Sequence, residues 1–159
     1  MEFNIKFFAL IIFVLILSAC DPDPQATALK ERWQNHDWSN NQPEIMLDIN
    51  NDGEQERALL GVSDKTVIVS VFLQDDVTKI DFIELFVDKA NQKNSICGTE
   101  ATLTVESQKY PIRQKVSPTP RGYQYCPECR GLRVTDKKDC DPFHIYWDHS
   151  NQRLSWWRN

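Results

Sequence analysis

Long apolar stretches are missing from this sequence. The longest covers residues 7–17, eleven side chains, whereas a helix that crosses a bilayer needs about 20 at 1.5 Å rise per residue. Glycine is scarce, at 5 of 159 residues, which excludes a glycine-rich fibrous chain. Positive charge is in deficit: 18 Lys and Arg face 23 Asp and Glu, a formal net charge of −5. That argues against nucleic acid as a partner, because phosphate neutralisation needs a surplus of cations. Histidine is limited to His36, His144 and His149. No nucleophile elbow, His-Glu-x-x-His, phosphate loop or dinucleotide fingerprint occurs, so the enzyme classes marked by such motifs find no support. What is present points to a packed domain, since 41% of residues are hydrophobic and five are tryptophan. Residues 20–159 make one domain's worth of chain, with a radius of gyration of roughly 14 Å.

The first twenty residues carry an export pattern. Lys6 precedes the apolar run, and Leu17-Ser18-Ala19-Cys20 closes it. The run has the length of a secretory h-region, about 7 to 15 residues. Small side chains at Ser18 and Ala19 suit a peptidase groove, and Cys20 supplies a thiol that can become a thioether. The segment resembles the lipobox of bacterial lipoproteins. That resemblance implies a signal peptide over residues 1–19, cleavage ahead of Cys20, lipid on the Cys20 sulfur and amine, and a protein anchored on the periplasmic face of a bacterial cell membrane. Two or three acyl chains, at about 0.8 kcal/mol per buried methylene, hold such a protein almost permanently. Asp21 resembles the residue that retains some lipoproteins in the inner membrane. Residues 20–27 then read as lipidated cysteine and polar tether, the tether reaching roughly 15 Å if flexible, and residues 28–159 as a single β-rich domain.

With Cys20 taken by lipid, Cys97, Cys126, Cys129 and Cys140 remain. An even set in an oxidising compartment predicts two disulfides, with three connectivities open. Long-range bridges are the expectation, Cys97 to Cys126 or Cys129 and the other to Cys140, because they would tie the loop-rich final third to the body. Cys126-Pro127-Glu128-Cys129 also admits two other readings. Four thiolates can hold zinc, but a zinc ribbon uses two such knuckles, and Cys97 and Cys140 stand alone. A redox pair calls for a helix after the motif to depress the first thiol's pKa, yet Arg130-Gly131 and the strand-like residues 132–134 follow.

Leu29 and Trp33, one turn apart, predict a short helix within 25–38. Strands are predicted at 45–49, 58–62, 66–73, 80–87, 102–106, 121–125, 132–135, 143–147 and 153–157, from period-two alternation and β-branched or aromatic content. The last two form a hairpin across 148–152, with His144, Tyr146 and Asp148 on one face and Phe143, Ile145 and Trp147 on the other. The fold class expected is mainly β (α+β): a small antiparallel sandwich or barrel with one short N-terminal helix, stapled by disulfides. Tyr123, Tyr125, Trp147, Trp156 and Trp157 are expected to pack in the core and across strands, in preference to forming a groove for a sugar or peptide.

Residues 48–56 read Asp-Ile-Asn-Asn-Asp-Gly-Glu-Gln-Glu, the pattern D-x-N-x-D-G-x-x-E. Alternate side chains of a tight loop can aim at one calcium ion, which takes six to eight oxygens at about 2.3 to 2.6 Å. Asp48, Asn50 and Asp52 would supply the first three, Gly53 the positive-φ turn that brings the Glu54 carbonyl inward, and Glu56 the closing carboxylate. An EF-hand would place a bidentate Glu where Leu59 stands, so the segment instead resembles a single calcium loop of the FG-GAP type. Calcium is therefore expected as a structural cofactor, ahead of zinc. The competing account is a β-hairpin turn that uses Asn-Asp-Gly for its backbone angles alone.

Charge is segregated, with 17 acidic and 7 basic side chains in residues 20–108 against 2 and 8 in residues 109–138. The basic set can meet anionic head groups or pair within the domain, and internal pairing is the commoner outcome. The function expected is a membrane-anchored, periplasm-facing module that binds an envelope protein or glycan. The alternative is a small periplasmic enzyme or thiol redox factor using Cys126 and Cys129.

Overall fold

Alternation dictates most of the architecture, because side chains two apart on a strand share a face and one such row must leave water. A computed structural model describes residues 23–38, 44–91, 95–108, 119–137 and 140–158. Cys20, Asp21 and the export segment lie outside the described residues, as do Lys109, Arg113, Lys115 and Lys138 of the basic set. The elements are a helix α1, Pro24–Arg32, then strands β1, Ile45–Leu47, β2, Glu56–Val62, β3, Thr66–Phe72, β4, Ile80–Val87, β5, Ser95–Ile96, β6, Ala101–Ser107, β7, Arg130–Asp136, β8, Phe143–Asp148, and β9, Arg153–Trp157.

They form two sheets, ordered β1-β2-β3-β4-β5 and β6-β7-β8-β9. Every pairing is antiparallel except the two-residue contact of β5 with β4. The inner rows of both sheets meet in one core, in which Leu60, Val69, Leu85, Leu132, Phe143 and Ile145 are buried. Asp81, at the end of an inner row, ties the sheets by accepting the Leu154 N–H at 2.5 Å. The expected mainly β fold with two antiparallel-rich sheets, one short helix and two disulfides is present.

Four departures have physical causes. Strand β3 is buried along its whole length, so its run Val67-Ile68-Val69 serves both faces. The second cover is the N-terminal segment: Leu29 is fully buried, Trp33 packs edge-on against Phe82 at 5.1 Å, and the Trp38 ring lies over Gly61, where a Cβ would come within 2.7 Å of it. Helix α1 begins at Pro24, so residues 24–27 are folded where composition suggested tether. Asp23 caps it, accepting the N–H of Gln25 at 2.9 Å and of Ala26 at 3.2 Å, and Pro24 occupies a first-turn position where no N–H is needed. Residues 121–125, expected as a strand, are turn and loop. Gly122 adopts φ 68°, and the Arg121 carbonyl accepts the Tyr146 hydroxyl at 3.0 Å, which lays this segment over the outer face of the second sheet. Strand β5 has only two residues and one aliphatic side chain, too little for a sequence pattern.

Candidate functional site

The loop from Asp48 to Glu56 joins β1 to β2, and its side chains fold inward onto its own backbone. Asp48 accepts the N–H of Asp52 on Oδ1 at 3.1 Å and of Gly53 on Oδ2 at 3.0 Å. Asn50 Oδ1 accepts the Asp52 N–H at 2.9 Å, and Asp52 Oδ1 accepts the Glu54 N–H at 2.9 Å. Asn51 and Gly53 take φ of 59° and 94°, the left-handed turn for which glycine was expected. The Glu54 side chain is exposed. Glu56 is the unusual member: it is fully buried, and its Oε2 accepts the Ile49 N–H at 2.9 Å.

The amide of Asn50 sits between two of these carboxylates, donating to Asp52 Oδ2 at 2.9 Å and Glu56 Oε1 at 3.3 Å. Burial pushes the Glu56 carboxyl above its ordinary range, the charges of Asp52 and Asp48 push the same way, and the Ile49 hydrogen bond opposes them. The donor set is all oxygen and suits a hard cation. It is not drawn into a closed shell. Among the described residues, Cys97, Asp136 and Cys140 alone bring three His, Cys, Asp or Glu ligand atoms within 4.8 Å of one another, and two of those are cysteines joined to each other.

The four cysteines form two disulfides, with a connectivity different from the expected one. Cys97 bonds Cys140, and Cys126 bonds Cys129. The first is long-range and ties the end of β5 to the approach to β8. The second closes a ring of neighbours, because the turn at Pro127-Glu128 already folds Cys129 back, its N–H reaching the Cys126 carbonyl at 3.3 Å and the Cys126 Sγ at 3.0 Å. The zinc reading, which needs four free thiolates, has no counterpart in this arrangement.

The histidines do not gather. His36 lies in the N-terminal segment with Nε2 2.8 Å from Thr66 Oγ1, and burial, partly offset by Glu84, lowers its pKa. His149 is in the β8–β9 turn, where burial lowers its pKa against the opposing charge of Asp148. His144 pairs through Nδ1 with Glu106 Oε2 at 2.8 Å, a partner no local spacing announces, and stacks on Trp157 at 3.9 Å.

The aromatic set packs, as expected, in preference to lining one groove. Trp147 is in the core, Trp156 meets Phe143 edge-on at 5.0 Å, and Tyr123 meets Tyr146 at 5.3 Å. Only Tyr125 of the five is mostly exposed, at 57%. Of the basic set, Lys137 pairs with Glu100 at 3.2 Å, and Arg130 donates to the carbonyls of Pro127, Glu128 and Cys129 at 3.0 to 3.1 Å.

No helix among the described residues is long and apolar enough to cross a membrane. Comparison with known proteins finds no matching family model, curated protein or solved structure.

Proposed function

We propose that this chain is a lipid-anchored module of the bacterial envelope, joined through Cys20 to the periplasmic face of the membrane, retained at the inner membrane by Asp21, and binding an envelope protein or glycan. One observation carries the reading beyond the lipobox. Asp23 caps the helix, and the chain from Cys20 to that residue spans at most roughly 11 Å. A domain on so short a leash works against the bilayer surface and recruits partners there.

Calcium is the structural cofactor in this reading. A divalent cation in the 48–56 loop would supply the positive charge that buried Glu56, Asp48 and Asp52 lack, and would hold the hairpin between β1 and β2 as part of the binding surface.

Intact-mass analysis of the protein from bacterial membranes tests the anchor. A mature amino terminus at Cys20 carrying a diacylglyceryl group and a further acyl chain is expected, with the Cys20→Ser variant leaving the membrane fraction. An unprocessed chain starting at Met1 without lipid would overturn it.

A further inference from the structure

A disulfide that closes a four-residue ring is a poor staple, because neighbours already close in the unfolded chain lose little freedom when joined. Cys126–Cys129 has a sequence separation of 3 and Cys97–Cys140 one of 43. The short bridge is also built asymmetrically. Cys126 is half-buried while Cys129 is fully buried, so an incoming nucleophile meets the Cys126 side of the bridge first. The Cys129 N–H points at Cys126 Sγ from 3.0 Å, a bond that strengthens when that sulfur becomes a thiolate. Around them the backbone is fixed, with the Gln108 N–H on the Cys129 carbonyl at 3.0 Å and the Arg130 guanidinium on three carbonyls of the loop.

The other bridge is shielded by charge. Asp136 has a carboxylate oxygen within 4.8 Å of both sulfurs of Cys97 and Cys140, and it spends Oδ2 on the Cys97 N–H at 2.7 Å. A thiolate approaching that bridge meets a negative charge, even with Arg158 in electrostatic reach of Asp136.

We propose that Cys126–Cys129 is an exchange-active disulfide that oxidises the dithiol of a partner polypeptide, with Cys126 as the attacked sulfur. One thiolate of the partner attacks Cys126 Sγ, forming a mixed disulfide. The Cys126–Cys129 bond breaks with its electron pair going to Cys129 Sγ, which takes up a proton. The partner's second thiolate then attacks its own sulfur in the mixed disulfide and releases Cys126 as a thiolate, held by the Cys129 N–H. The partner loses two electrons and two protons; the bridge gains both electrons and one proton, on Cys129, and the second proton goes to solvent. This activity goes beyond the anchor and binding reading.

The test mixes the full-length oxidised protein in detergent with a synthetic peptide bearing two reduced cysteines at neutral pH, quenches with acid, and maps alkylated thiols by mass spectrometry. Cys126 and Cys129 are expected to open about ten times faster than Cys97 and Cys140. Asp136→Asn should narrow that ratio by speeding the second bridge. In Cys129→Ser, the oxidised form of the same peptide should be captured on Cys126, whereas Cys126→Ser should capture none on Cys129. Equal opening rates of the two bridges, or capture on Cys129, would overturn the proposal. The rate ratio needs no variant, so a misfolded mutant leaves the proposal falsifiable.

Discussion

Nη2 of Arg57 stands 2.6 Å from Oδ2 of Asp23, which joins the second strand to the residue that caps the helix. The same guanidinium reaches Glu44 at 3.3 Å and Gln25 at 3.0 Å. The hydrogen bond to Arg57 is the main reason that the Asp23 carboxyl lies below its ordinary value of 3.8. Asp23→Ala removes cap and ion pair together and is expected to cost about 1 to 2 kcal/mol. Asp23→Asn keeps a capping side chain and should cost less than half as much. Because the folded pKa is depressed, the Asp23 contribution is complete above 3.8 and is lost as pH falls through the lower folded value. Urea midpoints for both variants, followed into acid, check the magnitude and the direction.

Glu56 has the opposite sign. Its folded pKa is raised, so the carboxyl is protonated in both states below its ordinary 4.5, and stability falls as pH rises through the folded value, where a buried group must ionise. Calcium added at neutral pH is expected to raise the melting temperature by offsetting that charge. Glu56→Gln should flatten the acid-side slope and abolish the calcium response. An unchanged wild-type melting temperature at millimolar calcium, within the range of extracellular modules at about 10⁻⁴ to 10⁻³ M, counts against a calcium site.

The Trp38 ring occupies the space a side chain would need at Gly61, 2.7 Å from an ideal Cβ. Gly61→Ala forces the ring or the N-terminal segment off the sheet, an overpacking cost of about 1 to 3 kcal/mol. Tryptophan emission should shift with the displaced ring, and an unchanged melting curve would show that the cover yields freely.

Removing the two disulfides one at a time separates their roles. On the chain-entropy account, the pair Cys97→Ser and Cys140→Ser should cost about 4 kcal/mol and the pair Cys126→Ser and Cys129→Ser about 2. Denaturant midpoints of the two double variants give the comparison.

Most strands were legible because each carries a local period. Residues 80–87 were expected as a strand and form β4 with those limits, since their β-branched and aromatic side chains fit a pleated, half-buried surface. The hairpin across 148–152 was legible from its polar turn, which Asp148 closes by accepting from Ser150 N at 2.8 Å and Asn151 Nδ2 at 2.6 Å. Residues 121–125 misled for the same local reason. Their two tyrosines suit a strand, but Tyr123 is spent on packing against Tyr146.

The sequence alone determined the period-two rows, the inward-turning loop at 48–56 and an even set of cysteines behind Cys20, because each is a property of neighbours along the chain. Tertiary structure decided which cysteines pair, that β3 is covered on both faces, that Glu56 is sealed from water, and that His144 finds Glu106. Those facts depend on which distant segments come to lie together, and neither spacing nor composition records the closing of a loop on a partner far along the chain.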